Sequence, residues 1–155
     1  MDKLDEEDFI IISELQKEGR ISYAELSRRT GIPGSTLHDR VGRLVSKGVI
    51  KKFVAILDGV KVGVDAAAII GLETGAQLYS SVAKALCEME EVVEVYGTTA
   101  EHDLMIKVRT PREELSNILN RIRRIDGVDD IYVCSIIEVF KEEHTLPLKE
   151  SVKQK

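Results

Sequence analysis

The sequence predicts an α+β chain: an N-terminal winged helix-turn-helix of three helices, then a C-terminal ferredoxin-like β-α-β-β-α-β sandwich. Three observations lead there. Residues 22–50, SYAELSRRTGIPGSTLHDRVGRLVSKGVI, read as two short helices joined by a tight Gly-containing turn, with basic residues crowding the second. Beyond residue 66 the apolar spacing alternates between strand and helix periods in the order strand, helix, strand, strand, helix, strand. A faint repeat at an offset of 36 residues matches Leu86, Met89, Val92, Val95 and Tyr96 with Ile122, Ile125, Val128, Ile131 and Tyr132. Each half is therefore the end of a helix running through a turn into a strand.

In chain order, Leu4 to Glu18 forms a first helix. Asp5 caps it, Glu6, Glu7 and Asp8 suit its positive end, and Ile11, Ile12 and Leu15 make the inward stripe. The second helix starts at a capping box of Ser22 and Glu25, with Ile21 stapling onto Leu26, and ends at Gly31. The third runs from Gly34 to Lys47 with Leu37, Val41, Leu44 and Val45 inward, and Gly48 closes it. Val49 to Leu57 reads as a strand or short wing, and DGVKVGVD (58–65) as a linker. Strands are expected at 67–72, 92–98, 103–109 and 128–140, and helices at 77–89 and 113–125. The domain plan is a DNA-binding module over 1–52, a strand and hinge over 53–66, the ferredoxin-like module over 67–142 and a tail over 143–155, fraying after Leu148. Both helices of such a module cover one sheet face, so the other needs a cover; with Ile69, Val95, Ile106, Val108, Ile131 and Val133 in the strands, a partner subunit is the expected one.

Composition narrows the class. No apolar run approaches the roughly 20 residues of a membrane span, and MDKLDEEDF is acidic where a secretory signal would be basic, so a cytoplasmic protein is expected. Cys87 and Cys134 lack metal or redox spacing and read as buried reduced thiols. Net charge is −5, yet residues 20–52 hold eight basic residues and two acidic ones, whereas 61–155 hold 12 basic and 17 acidic. A basic head on an acidic body suits a DNA-binding module attached to another module; a solvated charged face would give the same count.

Ser35, Thr36, His38 and Asp39 lie in the N-terminal half of the third helix, where a recognition helix meets base edges. Arg40 and Arg43 are placed to reach phosphate or guanine, and Lys47, Lys51 and Lys52 phosphates, with Tyr23 and Arg29 as further backbone contacts. The loop GTTAEHD (97–103) offers Thr98, Thr99, Ala100, Glu101, His102 and Asp103 to a small polar ligand bearing an amino group. It reads equally well as an ordinary connection between strands. His38, His102 and His144 stand apart without a second ligand at metal spacing, and no phosphate loop, nucleophile elbow or HExxH is present. No cofactor, metal or catalytic residue is expected.

Taken together, LDEEDFIIISELQKEGRIS, AELSRRTGIPGSTLHDRVGRLVSKGVIKKFVAILD, TTAEHDLMIKV and HTLPL occur in the order that resembles the Lrp/AsnC, or feast/famine, family of transcriptional regulators. The resemblance spans nearly the whole chain. It implies homodimers swapped through the strand near Phe53 to Leu57 and assembling into tetramers or octamers. It also implies an amino-acid or related effector, bound near Thr98 to Asp103 where dimers meet. The family carries Gly where this chain has Ala100, which bears on effector binding and identity. It also carries a capping Ser where this chain has Pro33, so that Ser35 or Thr36 is expected to take over the cap. The function expected is a sequence-specific DNA-binding regulator of a pseudo-palindromic site. The alternative is a tetrapyrrole (siroheme) decarboxylase on the same architecture, for which His102 is the one candidate residue; a coloured complex on tetrapyrrole titration would favour it.

Overall fold

The computed structural model describes residues 4–99 and 101–148. The expected fraying after Leu148 lies outside them. The chain divides into two compact units, one comprising residues up to Ile56 together with the tail from Glu142, the other Leu57–Lys141.

The first unit holds α1 (Glu6–Lys17), α2 (Tyr23–Thr30) and α3 (Gly34–Ser46). Ile11, Leu26, Ile32, Leu37, Val41 and Leu44 form its core, with Ile12, Leu15, Ile21 and Ile50 packed around them. Each fully buried Leu or Ile contributes about 1.5–3 kcal/mol. Val45, expected inward, is 45% exposed. At the start of α1 the cap is a complete box: Asp5 Oδ1 accepts from Asp8 N (2.9 Å), and Asp8 Oδ2 accepts from Asp5 N (3.2 Å). At α2 the box is half built. Ser22 Oγ accepts from Glu25 N (3.2 Å), while the Glu25 carboxylate is drawn to Arg28 and Arg29 instead of back to the cap. Gly31 leaves α2 at φ +74°, which an L side chain resists, and Ser27 Oγ donates to Ile32 O (2.6 Å) across the turn.

Two expectations change here. Neither Ser35 nor Thr36 caps α3; the helix opens at Gly34 directly after Pro33, with no side-chain cap. The ring of Pro33 holds φ at −57°, and Pro33 O accepts from Leu37 N (3.0 Å), so the entry is set by backbone geometry. Residues 51–58 form no strand in the single chain, because no neighbouring strand offers them a ladder. Phe53, Val54, Ile56 and Leu57 are 51–67% exposed. The tail packs in this unit, where Gln16 Nε2 donates to Leu146 O (3.2 Å) and Leu146 N donates to Gln16 Oε1 (2.8 Å).

The second unit contains β1 (Ala66–Thr74), α4 (Tyr79–Cys87), β2 (Val92–Gly97), β3 (Leu104–Thr110), α5 (Leu115–Arg123) and β4 (Val128–Ser135). The sheet is antiparallel in the order β2-β3-β1-β4, the ferredoxin-like arrangement. Ala68, Ile70, Leu72, Leu104, Ile106 and Val108 point to one face and pack with Val82, Leu86, Ile118 and Ile122 of the two helices. β4 is shorter than expected. It stops at Ser135, which pairs Ala68, because β1 begins at Ala66 and only Ile136 N, donating to Ala67 O (2.9 Å), continues the ladder. Both cysteines are exposed in the chain, not buried. Cys87 falls on the outer side of α4, and Cys134, opposite Ile69, alternates onto the uncovered sheet face.

On that face the register aligns one row across all four strands: Tyr96, Met105, Gly71 and Tyr132. The two tyrosines are the repeat-related pair on the two edge strands, 56% and 49% exposed. Ile69 on the same face is 40% exposed.

Candidate nucleic-acid interface and ligand loop

α3 presents two different surfaces. At about 100° per residue, Ser35, Asp39, Gly42 and Ser46 lie opposite the buried Leu37–Val41–Leu44 stripe. Ser35, His38 and Asp39 are exposed, and Thr36 is half-buried. The His38 ring lies 5.5 Å from that of Tyr23, itself exposed, which ties α2 to this surface.

The arginines behave differently from the sequence expectation of outward-reaching cations. Arg40, 20% exposed, donates through Nη1 to Asp5 (2.7 and 2.9 Å) and Asp8 (2.9 Å), and its Nη2 pairs with Glu7. Arg43 donates through Nη2 to both oxygens of Asp8 (2.7 and 2.8 Å) while remaining 43% exposed. Arg29 pairs with Glu25 and Glu18 at 2.8 Å and Glu14 at 3.6 Å. Asp8 is 3% exposed, so two helices are joined through one buried carboxylate. The same contacts shift titration. Hydrogen bonds from Arg40 and then from Asp8 N hold Asp5 below the usual carboxylate range, and hydrogen bonds from Arg28 and then Arg29 bring Glu25 down to about 2. Arg40 and Arg29 are pushed up, first by their hydrogen bonds to Asp5 and Glu25 respectively.

The basic head shrinks accordingly. Over residues 4–52, which include α1, nine basic residues face eight acidic ones. Sequence distance hid this, because the acids that neutralise Arg40 and Arg43 lie more than 30 residues upstream. Lys47, Lys51 and Lys52 are exposed.

The loop after β2 is tightly closed. Thr98 N donates to Asp103 O (3.0 Å), Thr98 Oγ1 donates to His102 O, and Asp103 N donates to Leu72 O (3.0 Å). The Asp103 carboxylate accepts from Thr74 N (2.8 Å) and Thr74 Oγ1 (3.3 Å). His102 lies over Gly71, where a Cβ would stand 2.2 Å from its Cδ2, and its ring meets Tyr132 at 4.7 Å. Its Nδ1 is buried without a partner among the described residues. Thr99 and Glu101 are exposed, and Ala100 lies outside the described residues. Sequence reasoning missed Gly71, Thr74 and Tyr132. The glycine inside an apolar strand was the available signal for a close approach.

Comparison with known proteins decides the family. Residues 4–51 match the winged helix-turn-helix DNA-binding family, and residues 67–146 match the Lrp/AsnC ligand binding domain. The chain belongs to the Lrp/AsnC family. It is 41% identical over 147 residues to the HTH-type transcriptional regulator FL11 of Pyrococcus furiosus, covering 94% of this chain and 97% of that one. Among solved structures, the leucine response regulatory protein LrpA of Mycobacterium tuberculosis superposes with a TM-score of 0.83 at 28% identity, over 92% of this chain and 99% of that one. A regulator from Neisseria meningitidis, solved with L-methionine, shares the fold at a TM-score of 0.85 and 23% identity, over 94% and 97% of the two chains. This Lrp/AsnC protein is therefore a DNA-binding transcriptional regulator. No helix among its described residues is long and apolar enough to cross a membrane.

Proposed function

We propose that this regulator binds a pseudo-palindromic DNA site as a homodimer or a larger assembly, and that an amino acid or related small molecule modulates its binding or assembly. The observation that carries the reading is the pairing of an exposed α3 surface in one unit with a separate ligand-binding module in the other. In this reading residues 1–52 contact DNA, 53–66 form the dimerising strand and hinge, 67–142 sense the effector and assemble, and 143–155 are the tail. Two features support a second copy. Phe53, Val54, Ile56 and Leu57 are apolar, exposed and without a strand partner among the described residues, and Ile69, Tyr96 and Tyr132 are exposed on the sheet face that the two helices leave uncovered.

On DNA, Ser35, Thr36, His38 and Asp39 face bases. Lys47, Lys51 and Lys52 meet phosphates, joined by Tyr23 and, through donors not directed at Asp8, by Arg43. Arg29 and Arg40 act chiefly by holding the helices together. In the loop, Thr98 and Asp103 are occupied with internal hydrogen bonds, which leaves Thr99, Ala100, Glu101 and His102 to meet the effector, with Glu101 supplying a carboxylate for an ammonium group.

Selection of bound genomic fragments, with and without a panel of amino acids, tests the whole reading. Enriched fragments should share a two-fold motif with half-sites about one helical turn apart or a multiple of it. Affinity should fall steeply with salt, as phosphate contacts release counterions. Binding without sequence preference at any salt would refute the regulatory reading, and a pattern unchanged by every amino acid would refute the effector.

A further inference from the structure

The outermost line of α3 carries one charge, and it is negative. Ser35, Gly42 and Ser46 are short, and the Asp39 side chain is 88% exposed. Among the described residues its one polar contact is His38 Nδ1 at 3.9 Å, beyond hydrogen-bonding reach. The neighbouring arginines, Arg40 and Arg43, donate to Asp5, the cap of α1, and to Asp8 in its first turn, and neither pairs with Asp39 among the described residues. Gly42 adds a second observation. A Cβ there would meet nothing within 4 Å, so packing does not require glycine, although glycine inside a helix costs about 1 kcal/mol relative to alanine. Its absent side chain lets this surface approach a neighbouring molecule closely.

We propose that Asp39 is a specificity-determining residue that accepts a hydrogen bond from the N4 amino group of cytosine in the major groove. The proposal rests on α3 being the DNA-reading helix. A carboxylate entering a groove walled by phosphates is repelled by every sequence and is compensated only where a base edge offers it a donor. Cytosine presents N4–H₂ with no acceptor of its own beside it in the major groove, whereas adenine places the N7 acceptor next to N6–H₂. Guanine presents two acceptors and thymine one acceptor and a methyl group, so neither compensates the charge. Asp39 thus selects chiefly by rejecting wrong bases.

The test is selection from randomised duplexes by the full-length protein, D39N and D39A at one salt concentration. The wild-type motif should contain a C·G pair at one position in each half-site. D39A should lose about tenfold discrimination at that position and keep the rest of the motif. D39N should move the preference there to adenine, whose N6 and N7 an amide matches in bidentate fashion. A wild-type motif that both variants reproduce at every position would overturn the role of Asp39 while leaving DNA reading by α3 intact. A wild-type protein that enriches no motif would instead overturn the reading of α3, and this inference with it.

Discussion

Asp8 is the point at which the DNA-binding unit should fail first. Its carboxylate is almost wholly buried and receives Arg40 Nη1 at 2.9 Å, Arg43 Nη2 at 2.7 and 2.8 Å, and Asp5 N at 3.2 Å. Removing one partner of a buried ion pair costs about 3–5 kcal/mol when the other is left stranded. Here the stranding is incomplete. Arg40 keeps Asp5 and Glu7, and Arg43, 43% exposed, can return to water. The expected loss for D8A is therefore about 2–3 kcal/mol, lower than the figure for a sealed pair. Urea unfolding followed by circular dichroism, at one protomer concentration because assembly feeds into apparent stability, should show the midpoint falling by about 1–2 M. D8N should fall between wild type and D8A, since its amide keeps an acceptor oxygen but loses the charge. A D8A protein within about 0.5 kcal/mol of wild type would refute the reasoning and make Asp8 a bystander.

Four further outcomes are expected. Ser22→Ala removes the acceptor for Glu25 N and should cost about 1 kcal/mol, read from the same urea curves. Ile70→Ala, at a site with no exposed surface beneath both helices, should cost about 2–5 kcal/mol in thermal or urea unfolding. Gly71→Ala puts a Cβ 2.2 Å from His102, so the imidazole must leave Tyr132; the His102 ring proton resonances should lose their aromatic ring-current shift. Glu25 titrates at about 2 in the fold against 4.5 ordinarily, so its stabilising contribution is complete above pH 4.5 and disappears as pH falls toward 2. Asp5 and Glu14, also held low, act in the same direction, and the slope of unfolding midpoint against pH should flatten in Glu25→Gln.

Local patterns were legible wherever neighbours in sequence are neighbours in space. The Ser22 cap, the Gly31 exit and the Leu37–Val41–Leu44 stripe depend on residues within one or two turns, and they form as read. The repeat at 36 residues likewise reaches the structure intact, with Leu86 and Ile122 both buried and Tyr96 and Tyr132 both on the uncovered face. Misreadings arose where a second partner decided the outcome. Glu25 looked like a capping carboxylate, but two guanidiniums three and four residues away bind it more strongly than one amide. The apolar run of β4 continues to Phe140, but the strand ends at Ser135, where its neighbour does.

The sequence by itself determined the two-module plan and the order of helices and strands, because periodicity, caps and turns are written locally and survive in any compatible packing. Tertiary structure alone decided what the charged residues do. Whether Arg40 and Arg43 face DNA or a buried Asp8, and whether His102 hangs in a loop or lies on Gly71 against Tyr132, depends on groups some 30 residues away along the chain. Coulombic and hydrogen-bond energies follow distance in space, which the local sequence does not record.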